Sequence, residues 1–404
     1  MLATLRNFTD RLLGRGHAAI TVPTMDGTLK PNRLLDQAEV AAEVPGLDDL
    51  AASGGVLYAS AGPALYRWHG GALAECRRFE APITALAVSM HGRVAVALGG
   101  RRLLVLDGIA GGRSDDGGAG AGRGTGGANG GGDGAGLESA SLEAVGRDPL
   151  VGVNALSWLG ETALAFTDGS TRHGPDEWQR DLMTLGRTGR AGRWEIGEIG
   201  SRDASHRAEW LASKLAWAAG IHAAPGAQGA EPAYWVAESW RHRVLRVQGG
   251  RTSVVLRELP GYPGRVVPAS AGGVWVAVFT GRTLLAEFVL REKAFRERMV
   301  VEMAPEHWIA PALSSGHTFL EPLQGASVKN MGVLKPWAPP RSYGLVIHVA
   351  EDGRVLRSLH SQVDGKHHGI TAMVEHDGAL WCASRGSGRL LRVPLATALQ
   401  GDAR

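Results

Sequence analysis

The stretch "FTDGSTRHGPDEWQRDLMTLGRTGR", residues 166–190, begins as an apolar run and stops on an acid, Asp168. A carboxylate at that point can serve as a general acid or base, can ligate a metal, or can accept backbone hydrogen bonds in the turn that follows. Two further clusters have the composition of a site. "DGKHHGIT" sets His367 beside His368, and "EHW" joins Glu306, His307 and Trp308, an acid, an imidazole and an aromatic ring that could cover a bound molecule or pack as surface. Several chemistries find no support. Cys76 and Cys382 are far apart and in no metal-ligand spacing, so both are expected as free core thiols. "SSG" and "HHG" lack the strand–turn–helix frame of a serine nucleophile.

The elements that must position these groups read as hairpins. "GGVLYASAGPALYRW", "GRVAVALGGRRLLVLDG", "AYWVAESWRHRVLRV", "GGVWVAVFTGRTLLAEF" and "GALWCASRGSGRLLRVPL" share one plan: an apolar strand, a short polar or Gly-containing turn, and an alternating second strand. A sixth copy is split, with "TALAFTDGS" before the polar excursion and "GRAGRWEIG" after it. Units recurring at about forty residues with this pattern suit four-stranded propeller blades. The fold class is therefore all-β, a six-bladed β-propeller over residues 21–396. Innermost strands are read in "GLDDLAAS", "ITALAVS", "VNALSWL", "KLAWAAGIHAA", "RVVPAS" and "ITAMVEH", and "HAAITVPTMDGTLKP" is read as an outer strand closing the ring. Asp168 then ends a blade strand instead of starting an innermost one. Its expected role is to accept backbone hydrogen bonds in the turn of "TDGS".

Two insertions interrupt the plan. Residues 108–136 are so rich in glycine and poor in apolar groups that a disordered surface loop is expected, and they carry no phosphate-loop lysine. Residues 291–340 open with the helical pattern "LREKAFRERMVVEM" and bring Trp308, Phe319 and Trp337, a lid expected to fold over one face of the ring. Residues 1–20 read as an amphipathic segment and 397–404 as a tail. The 404 residues carry a net charge of +3 with no run of Lys and Arg interleaved with aromatics, so no nucleic-acid partner is expected. No apolar segment reaches the length of a membrane span or a signal peptide, so a cytoplasmic protein is expected; oligomeric state does not follow.

The residues between these landmarks resemble the strictosidine synthase-like family. "FTDGSTRHGPDEWQRDLMTLGRTGR", "YWVAES", "LPGYPGRV" and "VEHDGALWCAS" are similar to four of its motifs, in the family order, over nearly the whole chain. The resemblance implies a six-bladed propeller related to gluconolactonases and paraoxonases, with chemistry at the axial tunnel. It also implies where groups are missing. The position of the family's condensing glutamate falls on Thr371, which cannot act as acid or base at neutral pH, so alkaloid-forming condensation is not expected. The hydrolase relatives hold a central Ca²⁺ by oxygen ligands. Of that set, Asp48 and Asn154 match, while Ala155, Ala219 with Gly220, and Gly264 with Arg265 replace the rest.

The expectation from this pattern is that no cofactor is bound and the calcium site is lost, with Arg265 in its place. The alternative is that Arg265 turns outward and another donor set binds metal. A guanidinium at the axis would favour a small anionic ligand through bidentate contact with carboxylate or phosphate. His222, Glu238, His367 and His368 are its candidate neighbours, each equally readable as a structural residue. Two functions are carried forward. One is an ester or lactone hydrolase using Arg265 as electrophile and His368 or Glu238 as general base. The other is a non-catalytic propeller binding a small anionic metabolite.

Overall fold

A computed structural model describes residues 22–108, 137–196, 207–224, 226, 230–316, 329–330, 333–334 and 341–400. Six four-stranded antiparallel sheets form a six-bladed β-propeller. Blade one runs through Leu47–Ser53, Val56–Ala61, Ala64–His69 and Ala72–Arg78, and blade two through Ile83–Val88, Val94–Leu98, Arg102–Asp107 and Leu137–Leu142. Blade three comprises Val153–Leu159, Ala163–Asp168, Gly189–Glu195 and Arg207–Leu215; blade four follows with Ala218–Ala224, Ala233–Glu238, Arg243–Gln248 and Arg251–Leu256. Blade five is Gly261–Pro268, Val274–Gly281, Gly344–Val349 and Val355–Ser361. Blade six pairs Ile370–His376, Ala379–Ser384 and Arg389–Pro394 with Glu39–Glu43 from the beginning of the described chain.

The burial pattern explains the sequence pattern. Second strands such as Ala163–Asp168 and Ala379–Ser384 are buried at every position, because both faces of a blade are covered by its neighbours. Outermost strands such as Ala72–Arg78 are largely exposed and read as charged. The core is accordingly a ring of interfaces. Ala97, Leu103, Leu164 and Trp194 fill the space between blades two and three, and Leu57, Ala59, Trp381 and Leu390 that between blades one and six. Comparable clusters join each remaining pair of neighbours.

Three element readings are corrected. The strand that closes the ring is Glu39–Glu43, paired with Arg389–Pro394, whereas residues 22–36 run along the outer edge of blade five. Asn32 and Thr28 bond Ser358 there, an edge contact that alternation alone does not distinguish from a closing strand. The second half of "GGVWVAVFTGRTLLAEF" is helical. Thr283 accepts a hydrogen bond from the Ala286 amide at 3.2 Å and starts helix α1, Leu284–Arg291, so the third strand of blade five waits until Gly344. Blade four's inner strand begins at Ala218, since Arg207–Leu215 completes blade three.

Helix α2, Lys293–Glu302, follows α1, and both belong to the insertion between the second and third strands of blade five. Residues 1–20, positions 109–136 of the expected Gly-rich loop, and Phe319 and Trp337 of the expected lid lie outside the described residues. The expected tail begins inside helix α3, Leu395–Gln400.

Candidate axial cavity

Each inner strand is interrupted near its start. Its register against the second strand slips between Leu47 and Asp49, Ile83 and Ala85, Val153 and Ala155, Ala218 and Gly220, and Ile370 and Ala372. In blade five the slip is wider, from Pro263 to Val266. A β-bulge leaves the extra residue unpaired and re-aims its side chain. The residues released in this way, Asp48, Thr84, Asn154, Ala219, Gly264 with Arg265, and Thr371, all line one cavity of about 60 Å³. One structural device used in every blade therefore builds the site. Close approach is part of it: a Cβ on Gly220 would stand 2.0 Å from the Gly264 carbonyl oxygen, so at this point the inner strands of blades four and five have room only for glycine.

Polar contacts knit these positions together. The Thr371 hydroxyl donates to the Asp48 carbonyl at 2.6 Å and the Thr84 hydroxyl to the Val153 carbonyl at 2.7 Å, joining neighbouring inner strands. Asn154 Oδ1 accepts from the Thr167 hydroxyl at 2.7 Å. Arg265 crosses the axis. Its Nε donates to Asp49 Oδ2 at 3.1 Å and its Nη2 to the Thr84 carbonyl at 3.0 Å, with Asp48 Oδ2 3.7 Å from Nη2. Asp48 Oδ1 accepts from Arg385 Nη1 at 3.0 Å, so one carboxylate sits between two guanidinium groups. Asp49, 3% exposed, also accepts from the Leu50 and Leu86 amides. Burial pushes its carboxyl up to about 6, and the Arg265 guanidinium opposes that shift without cancelling it.

This donor set does not fit a calcium ion. Both oxygens of Asp48 face guanidinium groups, Asn154 Oδ1 is taken by Thr167, and Arg265 lies among the remaining oxygens. A divalent ion about 4 Å from that guanidinium would meet a repulsion on the order of 8 kcal/mol at an effective dielectric of about 20. Among the described residues, no three His, Cys, Asp or Glu side chains converge as metal ligands would.

The wall above these groups is apolar. Pro175 and Trp178 come from the polar excursion of blade three, Trp217 from the turn before blade four, Phe279 from blade five and Leu313 from the lid. Trp217 adopts a left-handed backbone, φ 57°, a conformation costly for a bulky residue and sustained here by tertiary packing. Its ring stacks on Trp240 at 5.4 Å, and Trp240 in turn donates its indole N–H to Asp181 Oδ1 at 2.8 Å. Trp178 packs edge-on against Phe279 at 5.5 Å. The Leu313 carbonyl rests on Gly386, where a Cβ would stand 1.9 Å away.

Several sequence candidates stand apart from this cavity. His368 is held between the Ser342 hydroxyl, 2.7 Å from Nδ1, and the Gln362 carbonyl, 2.6 Å from Nε2, and burial lowers its pKa. His367 is buried beside it, and burial brings its pKa down to about 4. His222, also brought by burial to about 4, lines a different hollow between blades four and five. Glu238 is fully buried, accepting from the Ala216 amide at 2.9 Å and from Arg243 Nε at 2.6 Å. Asp168 repeats that arrangement one blade earlier, accepting from the Gly152 amide at 2.6 Å and pairing with Arg190. The backbone bond expected within "TDGS" thus goes instead to the residue preceding the inner strand. Glu306 is exposed, while Trp308 is the core of the lid, packed with Met183, Val289 and Met299.

Asp48, Asn154, Arg265 and Thr371 are the predicted residues that the fold does bring together. Thr84, Trp178, Trp217, Phe279, Leu313 and Arg385 were not anticipated. For Thr84 a signal existed: it holds in "ITALAVS" the offset that Asn154 holds in "VNALSWL". The others sit in turns, the lid, a second-strand end or, for Trp178, the short helix Trp178–Met183 of the blade-three excursion, outside the inner-strand pattern.

No family model matches the chain. The chain is similar to the adipocyte plasma membrane-associated protein of Rattus norvegicus, 26% identical over 241 residues, covering 57% of this chain and 53% of that protein. The Mus musculus protein of the same name is 27% identical over 169 residues, covering 40% and 34%. The chain therefore matches about half or less of the length of these relatives. Among solved structures, a luciferin-regenerating enzyme superposes with a TM-score of 0.49 at 12% identity, covering 89% of this chain and 93% of that one. A calcium-binding regucalcin of Agrobacterium tumefaciens gives 0.49 at 11% identity, with 88% and 92% covered. At these identities and scores none of them assigns an activity to this chain.

Proposed function

We propose that the axial cavity binds a small organic molecule carrying an acid group on a flat apolar body. The observation that carries this reading is the pairing, in one cavity, of two guanidinium groups with an aromatic wall. Beyond the N–H groups they give to Asp48, Asp49 and the Thr84 carbonyl, Arg265 and Arg385 keep further donors for a carboxylate or phosphate, and Trp178, Trp217 and Phe279 offer ring faces and edges to a planar body. The volume of about 60 Å³ is far below the roughly 300 Å³ at which drug-sized ligands are enclosed, so the ligand is compact or leaves part of itself in the mouth. Membership of the strictosidine synthase-like family belongs to the same proposal and rests on the four sequence motifs. A reducing, cytoplasmic setting agrees with two free thiols, of which Cys382 is in the core as expected and Cys76 is instead exposed on the outermost strand of blade one.

Hydrolysis of an ester or lactone is the second reading, favoured by Asp48, a carboxylate facing the cavity beside Arg265. In that reading Asp48 takes the place given to His368 and Glu238, orienting water while Arg265 polarises the carbonyl. Condensation chemistry is disfavoured by Thr371, whose hydroxyl is spent on the Asp48 carbonyl.

A thermal-shift and calorimetric screen of small aromatic and alicyclic acids tests the first reading. At least one acid should stabilise the protein, and Arg385→Ala, a change at the half-exposed rim, should weaken that binding about tenfold or more, the scale of one charge-assisted hydrogen bond. Equal affinity in the variant removes the guanidinium from recognition. A panel of lactones and aryl esters, assayed with and without added Ca²⁺, separates the two readings: turnover lost in Asp48→Asn supports the hydrolase, and tight binding without turnover supports the binder.

A further inference from the structure

We propose that the guanidinium of Arg265 is the resident cation of the propeller axis, occupying the place where oxygen donors would otherwise gather around a metal. It makes the protein independent of calcium. The contacts carry the argument. Asp49 Oδ2, the Thr84 carbonyl and Asp48 Oδ2 surround Arg265 at 3.1, 3.0 and 3.7 Å. Two carboxylates and a backbone carbonyl are the ligand types that a hard divalent ion takes. They belong to blades one and two, while the guanidinium belongs to blade five, so a positive centre here ties opposite sides of the ring.

The local build serves that tie. The double slip from Pro263 to Val266 frees two residues where the other inner strands free one, which gives Arg265 the reach to leave its own blade. The oxygens are also held independently of Arg265: Asp49 by the Leu50 and Leu86 amides, and Asp48 by Arg385. Arg265 is 13% exposed at its side chain, as a structural ion would be, and as a guanidinium it can neither dissociate nor lose its proton. Removing it strips Asp49 and the Thr84 carbonyl of their guanidinium partner, while Arg385 still holds Asp48.

The test compares wild type with Arg265→Asn and Arg265→Lys, each melted in EDTA and in millimolar CaCl₂. Wild type and Arg265→Lys keep a fixed cation and should show no shift with calcium. Arg265→Asn removes the charge and adds an amide oxygen, so calcium should raise its Tm by about 2 °C or more. Calorimetric titration of the wild type, with elemental analysis of the purified protein, decides the matter if Arg265→Asn does not fold. Stoichiometric calcium in the wild type overturns the proposal, as does an Arg265→Asn protein that folds and gains nothing from calcium. The readout is the metal and not the organic ligand, so absence of acid binding in the same samples would sink only the preceding reading.

Discussion

Asp49 and Arg265 show how much of this site depends on one buried pair. Asp49 is held by two amides and a guanidinium, yet burial raises its pKa from 3.8 to about 6. A carboxyl that is harder to ionise in the folded state binds its proton there more tightly than in the unfolded chain. Its ionisation therefore lowers stability progressively as pH rises from about 4 to about 6, and the loss is constant above that window. Asp49→Asn has no such dependence. Urea denaturation across pH 4 to 7 should show the wild type falling behind the variant, by up to about 3 kcal/mol, over that interval. A constant difference between the two would mean that Asp49 titrates normally. At this scale the sequence was informative where chemistry coincided with the repeat. Asp48, Asn154, Arg265 and Thr371 occupy one offset of the inner strands, and the fold gathers them. Glu238 and Asp168 were harder to read, because an acid ending a strand looks the same whether it faces a cavity or, as here, joins an arginine of the third strand to an amide before the first.

Hairpin strands were legible because their period of two survives inside every blade, but the lid's attachment was not. "TLLAEFVLR" follows a true strand without a break and carries an apolar run that a short window cannot assign, so α1 was read as the returning strand. Its signal was the capping threonine, Thr283. The lid matters to the site through one short strap. Trp308, Ile309 and Ala310 anchor it in the lid core, Gln179 Nε2 donates to the Pro311 carbonyl at 2.8 Å, and Thr280 donates to the Ala312 carbonyl at 2.9 Å. Leu313 then reaches the cavity and lays its carbonyl on Gly386. A methyl group on Gly386 would meet a backbone oxygen, which cannot swing aside as a side-chain end can. Gly386→Ala should therefore lift the strap, costing about 1–3 kcal/mol in chemical denaturation and exposing Trp178 and Trp217 to iodide quenching. Unchanged quenching, with or without a loss of stability, would mean that the strap does not set the cavity wall.

The whole ring is held by six interfaces between neighbouring blades, one composite blade, and a guanidinium across the axis. The composite blade was foreseen in kind but placed on the wrong residues. "EVAAE" is short and charged at both ends, and only its partner explains it: Glu39 meets Arg392, Glu43 meets Arg389, and Ala41 and Ala42 pack against the core between blades one and six. Exposed pairs of this kind contribute little individually. What the strand supplies is closure, since without it Arg389–Pro394 becomes an open edge bearing unpaired backbone groups. Two truncations isolate that role. Removing residues 1–36 deletes the segment along blade five but leaves the closing strand, whereas removing residues 1–43 deletes both. The shorter truncation should remain the size of the intact chain's folded unit on gel filtration, with a reduced Tm from the loss of the Asn32 and Asp36 contacts. The longer one should lose about 5 °C more, from cross-strand pairs at roughly 0.2–1 kcal/mol each plus the half-buried alanines, and should self-associate through the exposed edge. If both truncations melt together and elute alike, Glu39–Glu43 does not close the ring, and closure would have to come from the contacts between inner strands and from the axial charge that Arg265 provides.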